Sequence, residues 1–317
     1  MNIVDIMRND DDIRERDCGE GVSSFNFTSK CFKKGNWNDR TMTARGLFCD
    51  TKNDEVVARS FNKFFALGER PETQPSELKK NLVFPLVAYQ KENGYLGIVS
   101  THNGKLFVSS KGTNQGMYAE NFDRILRNKL SEQQRKSLYH YLNDNNLSMV
   151  FEVIDPINDP HIVEYQHEDI VLLDIIFNDY DFKHVGYSEI ETIGKLYNLH
   201  YKKCVATISN WEEFELFLYT YNYYKHMEGF VIEDSNGFMF KVKLPWYKFW
   251  KSLRGMIPAI CKGKSVNDIH NFKERCDNDN ILMDVMSNWV FDYYTDEGKM
   301  PSIIEVRNEY ESRSPIF

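Results

Sequence analysis

In the stretch Ala88-Tyr89-Gln90-Lys91-Glu92-Asn93-Gly94, one lysine ends an apolar run and a glycine follows three positions later. A neutral lysine amine is a nucleophile, and a glycine lets a nucleotide come close to the main chain. A solvated hairpin lysine has the same pattern, and spacing alone does not choose between the two. In Phe240-Lys241-Val242-Lys243 the alternation of a strand puts Lys241 and Lys243 on one face, while Phe240, Val242 and Leu244 fill the other. Two ammonium groups on a buried face need an anion; on an exposed face they are a solvated edge. Glu228, in Glu228-Gly229-Phe230-Val231-Ile232, lies across the Asn236-Gly237 turn and brings a carboxylate to the same neighbourhood. In Val150-Phe151-Glu152-Val153, Phe151 and Val153 share one face and Glu152 takes the other, either to accept hydrogen bonds from ribose hydroxyls or to meet solvent. Arg45, Lys63 and Lys111 each place one cation at the end of an apolar or β-rich run.

Such groups work only if a scaffold brings them together. Short β-rich segments dominate the middle of the chain, among them "TARGLFCD", "LVFPLVAYQ", "SMVFEVID", "DIVLLDIIF" and "GFVIEDSNGFMFKVK". The dipeptides Asn93-Gly94, Asn103-Gly104 and Asn236-Gly237 predict tight hairpins, because Asn and Gly tolerate positive φ, and hence largely antiparallel sheets. Apolar residues at three- and four-residue spacing predict helices near 115–142, 188–199 and 210–224, which makes the fold class α+β. After Pro245 the strand signals stop, and "IPAICKGKSVNDIHNFKERC" and "NILMDVMSNWVFDYY" read as helices. The expected division is an α+β domain over 1–245 and a small helical domain or appendage over 246–317.

Composition removes several other chemistries. The 317 residues are 42% hydrophobic and 27% charged, with no run of eighteen apolar residues and an acidic start, "MNIVDIMRNDDDIRER". The expectation is a cytoplasmic, intracellular protein. Six scattered cysteines with no C-x-x-C spacing predict reduced thiols rather than zinc or disulfides. Gly263-Lys264-Ser265 is similar to the end of a phosphate-binding loop, but Pro258 stands where that loop needs glycine, so the match is chance. There is no H-E-x-x-H and no G-x-S-x-G. The net charge of −8 predicts a confined basic cleft in place of a broad basic face.

In order along the chain, "ARGLF", "NKFF", "KENG", "SSKG", "FEVIDP", "EGFVI" and "FKVKLPWY" resemble the motif series of the ATP-dependent RNA ligases of the T-even phage RNA ligase 1 family, within the covalent nucleotidyltransferases. The resemblance runs from about Ser24 to Trp250 and keeps the order and approximate spacing of the blocks. It implies an adenylyltransferase domain of antiparallel sheets with flanking helices and a three-step reaction. Lys91 would attack the α-phosphorus of ATP, AMP would pass to an RNA 5′-phosphate, and a 3′-hydroxyl would seal the strand. It further implies that Glu228 organises the metal or the lysine, Glu152 holds the ribose, and Lys241 and Lys243 grip the α-phosphate. Arg45, Lys63 and Lys111 would add phosphate or sugar contacts, Gln90 would meet the adenine, and Tyr247 would lie near the triphosphate. Mg²⁺ or Mn²⁺ would accompany ATP, with its direct ligands unknown. The implied partners are RNA ends, including nicked tRNA recognised by the C-terminal helices, and an end-healing kinase or phosphatase.

Simple electrostatics agrees with these roles. Only the free amine attacks, and one ammonium about 4 Å away costs the charged form roughly 4 kcal/mol at an effective dielectric of 20. The lysine cluster is therefore expected to help Lys91 lose its proton. Two departures from the family stand out: Asn93 replaces the aspartate many relatives have in K-x-D-G, and Phe25 in "SFNF" stands where a nucleotide-contacting tyrosine is usual. Two alternatives remain open at this level, a nucleotidyltransferase acting on DNA ends or protein, and a non-catalytic nucleotide- or RNA-binding module.

Overall fold

The structure is a computed structural model and describes residues 2–263 and 280–313. The described strands form three sheets. The first has the order β1 (Ile13–Asp17), β2 (Val22–Phe27), β3 (Leu47–Asp50), β4 (Glu55–Ala58). The third runs β11 (Cys204–Ile208), β5 (Leu86–Lys91), β12 (Gly229–Glu233), β13 (Met239–Lys243). The second, whose strands fall between β5 and β11 in sequence, is ordered β10 (His200–Tyr201), β9 (Asp169–Phe177), β8 (Leu147–Ile154), β6 (Tyr95–His102), β7 (Lys105–Ser110). Every strand pair is antiparallel except β9 with β10, as the turn-rich sequence predicts.

Short helices α1 (Ile3–Arg8), α2 (Ser29–Lys34), α3 (Asp39–Thr43) and α4 (Pro75–Asn81) flank the first part of the chain. The periodic stretch 115–142 folds as two helices, α5 (Met117–Lys129) and α6 (Glu132–Asn145), because Ser131 and Gln134 form a reciprocal cap that starts a new helix. With α7 (Tyr187–Tyr197) they bury one face of the second sheet through Phe122, Leu138, Phe151, Leu172 and Ile190. Helix α8 (Trp211–Tyr221) covers one face of the third sheet through Phe214, against Ala88, Phe230, Ile232 and Phe240. One face of each sheet thus remains for the other.

Asn103-Gly104 and Asn236-Gly237 close the paired strands β6–β7 and β12–β13, with positive φ at Asn103, Gly104 and Gly237. Asn93-Gly94 does not make a hairpin. Its two neighbouring strands, β5 and β6, belong to different sheets, so the chain crosses from one leaf to the other there. A Cβ at Gly94 would stand 2.1 Å from the Val153 carbonyl oxygen, so the glycine serves the packing of this crossing against β8.

Beyond β13 come α9 (Pro245–Ile260), α10 (Asn280–Glu297) and α11 (Ile303–Arg313). They share a core of Trp250, Leu253, Met286, Val290 and Val306 that also takes in Ile162 and Val163 from the loop after β8. Buried Arg307 ties α11 to that loop by donating to the Ile162 carbonyl and the Glu164 carboxylate. Lys264, Ser265 and Cys276 lie outside the described residues; the described cysteines are all free. Among the described residues, no helix is long and apolar enough to cross a membrane.

Candidate active site

A cavity of about 390 Å³ opens between the second and third sheets. Strand register decides what faces it: Lys91 pairs with Gly229, which pairs with Lys243, and Tyr89 pairs with Val231, which pairs with Lys241. Alternate residues of the same strands, Ala88, Phe230 and Phe240, are buried under α8. Of the residues expected from sequence, Arg45, Gln90, Lys91, Lys111, Glu152 and Lys241 line the cavity. Glu228, Lys63, Lys243 and Tyr247 stand outside that lining; the first and last touch the motif that carries Lys91.

Lys91 Nζ is 3.0 Å from Glu228 Oε2 and donates to the Glu92 carbonyl at 3.1 Å. Burial pushes the ammonium toward neutrality, but the charges of Glu228 and Glu152 outweigh it and raise the pKa above the ordinary lysine value. The expectation that neighbouring lysines strip the proton from Lys91 is therefore reversed here: the nearest charge is a carboxylate. Desolvation instead depresses the surrounding cations. Burial, then the repulsion of Arg45, Lys63, Lys91 and Lys243, holds Lys241 well below its ordinary range, and Lys63 falls to about 8, chiefly through burial. Lys241 Nζ donates to the Phe64 carbonyl at 3.2 Å and lies 4.3 Å from the centre of the Phe64 ring. Lys63 donates to that same carbonyl at 3.0 Å and sits 3.7 Å above Phe65. Arg45 reaches Ser60 Oγ and the Phe61 carbonyl, both at 3.3 Å, and burial lowers its pKa. Among the described residues these cations have no carboxylate at hydrogen-bond distance, Glu69 standing 3.9 Å from Lys63, the condition under which an incoming phosphate gains most.

Asn93 is 5% exposed and fully engaged. Its amide donates to Glu228 Oε2 at 2.9 Å and to the Tyr247 hydroxyl at 3.3 Å, and its Oδ1 accepts from Val163 N at 3.1 Å. An aspartate there would face Glu228 with no proton to donate. Glu152 Oε1 accepts the Gly94 N–H at 2.8 Å, so one oxygen positions the crossing while the side chain faces the cavity. Tyr247 is buried, and desolvation followed by Glu228 keeps its phenol protonated. The Gln90 amide donates to Glu92 Oε1 at 2.9 Å, which gives it a partner other than a base. Phe25 is wholly buried in the core under the first sheet and does not line the cavity; Phe27 is the ring near Lys111, 5.5 Å from its Nζ.

Sequence reasoning missed the apolar part of the site. Leu96 and Leu173 from the second sheet, Val231 and Met239 from the third, and Phe61 and Phe64 at the side form an apolar slot in the cavity. Strand alternation identifies Val231 as a neighbour of Lys241; nothing local identifies Phe61 or Leu173, which arrive by tertiary packing. Glu92 was also missed. Burial raises its carboxyl pKa, while the Tyr165 hydroxyl donates to it at 2.8 Å and accepts the Asn93 N–H at 2.9 Å.

Among the described residues no three His, Cys, Asp or Glu side chains gather as a metal cage. Mg²⁺ needs no such cage, since it usually takes one or two carboxylates and completes its shell with substrate phosphates and water.

A family model described as RNA ligase matches residues 43–247. The chain is 26% identical to a tRNA ligase of Candida albicans over 71% of its own length and 32% of that protein's. It is 28% identical to a Thermovibrio ammonificans protein named as an RNA ligase, over 64% of this chain and 51% of that one. It thus spans a third to a half of the length of these curated relatives. The fold is shared with a solved Aquifex aeolicus protein described as an ATP-dependent DNA ligase, at a TM-score of 0.60 and 14% identity, over 94% of this chain and 81% of that one.

Proposed function

The chain belongs to the RNA ligase family, and from that premise we propose that it is an ATP-dependent RNA ligase that works through a lysyl-AMP intermediate on Lys91. The observation that carries this reading is the placement of Lys91 Nζ, 3.0 Å from Glu228, in a cavity that also presents Lys241 and Arg45. In the first step the neutral amine attacks the α-phosphorus, a nitrogen–phosphorus bond forms, and pyrophosphate leaves. Glu228 is placed to receive the amine proton, and Lys241 and Arg45 face the charge that grows on the phosphate oxygens. Glu152 offers its free oxygen to the ribose. A bound divalent ion would neutralise phosphate charge and assist the leaving group, held chiefly by the substrate phosphates and water. AMP then passes to an RNA 5′-phosphate to give a 5′–5′ pyrophosphate linkage, and a 3′-hydroxyl displaces AMP to form the phosphodiester.

The helices beyond residue 245 are proposed as a separate RNA-recognising unit, with nicked tRNA as the substrate, an end-healing kinase or phosphatase as partner, and the cytoplasm as the location. Asn93, the sole motivation for a non-catalytic module, has a positive role beside Glu228, which favours the enzyme. The test is incubation with α-labelled ATP and Mg²⁺ after pyrophosphate treatment. Label is expected on wild type and absent from Lys91→Ala, and passage of the label to a 5′-phosphorylated RNA but not to DNA identifies the acceptor. A wild type that binds ATP yet takes no label overturns the proposal.

A further inference from the structure

At the end of the cavity remote from Lys91 stand two opposite charges that the ligase chemistry does not use. Glu233 lies on β12 four residues beyond Gly229, the partner of Lys91, a distance of about 13 Å at the rise of a strand. A nucleotide whose phosphate meets Lys91 would extend its base along β12 toward Glu233. The apolar slot made by Leu173, Val231 and Met239 lies in the same cavity. Glu233 and Lys202 both line it, and Lys202 Nζ is 3.9 Å from Glu233 Oε2, too far for a hydrogen bond between them. Each is held from behind. Asp174, wholly buried, accepts from Lys202 Nζ at 3.0 Å, and His184 spans Asp174 at 3.1 Å and Glu233 at 3.4 Å.

Resting on the reading of the cavity as an ATP site, we propose that Glu233 and Lys202 form a base-reading pair that selects adenine over guanine. A carboxylate only accepts and an ammonium only donates. Adenine presents at adjacent positions of one edge an amino group that donates and a ring nitrogen, N1, that accepts, so Glu233 takes a hydrogen bond from the amino group and Lys202 gives one to N1. Guanine inverts both: its O6 would meet Glu233 and its N1–H would meet Lys202. Both mismatches fall on groups largely removed from water, where an unpaired polar atom is costly. The Gln90 amide, engaged with Glu92, is not needed for this discrimination.

The test is calorimetric titration of the full chain with ATP and with GTP, for wild type, Glu233→Gln and Lys202→Met, with thermal melts to establish that each variant is folded. Wild type is expected to bind ATP at least about 100-fold more tightly than GTP, since two buried hydrogen bonds are at stake. Glu233→Gln is expected to cut that ratio at least about tenfold, because its amide can turn a donor toward O6. Lys202→Met should lower the ratio as well. Equal affinities in wild type overturn the proposal, as does a Glu233→Gln variant that weakens both nucleotides alike, which would make Glu233, Lys202, Asp174 and His184 only a staple between sheets. The outcome is separable from the ligase reading: ATP preference without label on Lys91 removes the activity and keeps the base-reading pair, and label from ATP and GTP alike does the reverse.

Discussion

The Asn93 amide donates to the same Glu228 oxygen, Oε2, that the Lys91 ammonium contacts, at 2.9 and 3.0 Å. One buried oxygen therefore receives a fixed neutral donor and a reactive charged one. The amide keeps the carboxylate in place whether or not the lysine carries its proton.

Replacing Asn93 by aspartate puts two carboxylates in contact, and one of them must hold a proton. The raised folded-state pKa leaves the penalty small near pH 5 and enlarges it as pH rises, since the unfolded chain gives up the proton first. Thermal melts should show Asn93→Asp close to wild type at about pH 5 and lower by several degrees at about pH 8. Asn93→Ala should lose about 2–4 kcal/mol with much less pH dependence, because it strands hydrogen-bonding atoms without adding charge. Parallel pH curves for the two variants would contradict this account.

Glu228 and Glu152 hold the Lys91 pKa up, so removing one charge should lower it. The rate at which an amine-directed arylating reagent modifies Lys91, followed against pH by peptide mapping, is expected to rise at lower pH in Glu228→Gln than in wild type. An unchanged or upward-shifted profile would mean that some other group controls the nucleophile.

Lys63 at about 8 and Lys241 well below its ordinary range are depressed mainly by burial. A bound polyphosphate supplies the missing negative charge and raises both values, so nucleotide binding near pH 8 takes up protons. Calorimetry in buffers of different ionisation enthalpy should report net uptake, reduced in Lys63→Met. Without nucleotide the sign for stability follows: the unfolded lysine titrates near 10.4 and holds more protons than the folded one between about 8 and 10.4, so Lys63 makes the protein more stable as pH rises through that window. Net proton release on binding would rule this out.

Arg307 joins α11 to the loop whose Val163 N–H is accepted by Asn93. Arg307→Met is expected to cost about 1–3 kcal/mol, because it strands the Ile162 carbonyl while the half-exposed Glu164 returns to water. Hydrogen exchange should speed first in α11 and in residues 160–165, with β5 amides protected as before. Uniform loss of protection in both places would show that the C-terminal helices and the sheets unfold as one unit.

A single glycine tests the crossing between sheets. Gly94→Ala would drive a Cβ to within 2.1 Å of the Val153 carbonyl oxygen and disturb the Gly94 N–H bond to Glu152. Soluble yield or melting temperature should fall sharply, whereas Gly104→Ala, with no atom within 4 Å of its Cβ, costs only the strain of its positive φ. Comparable losses at the two glycines would show that the close approach does not matter.

The sequence order of the cationic blocks and strand alternation made most of the polar site legible: Lys241 facing the cavity, Phe240 and Val242 in the core, and Glu152 opposite Phe151 all follow from period two. Local patterns could not say which sheet a strand joins, so Asn93-Gly94 read as a hairpin. Nor could they give the sign of the Lys91 shift, which depends on a carboxylate 137 positions along the chain being nearer than any ammonium. The slot residues Phe61 and Leu173, and the pair Glu233 and Lys202, come from four separate segments and carry no signature of their own.

Asn-Gly is the dipeptide most prone to spontaneous ageing in aqueous solution, because the glycine nitrogen attacks the asparagine amide and leaves aspartate or isoaspartate. In the folded protein both partners in that attack are occupied, the nitrogen with Glu152 and the amide with Glu228, Tyr247 and Val163. Stored native protein should keep residue 93 intact by mass spectrometry while unfolded material loses it. Every unfolding excursion then risks writing a permanent negative charge beside the nucleophile, so fold stability also sets the shelf life of the active site.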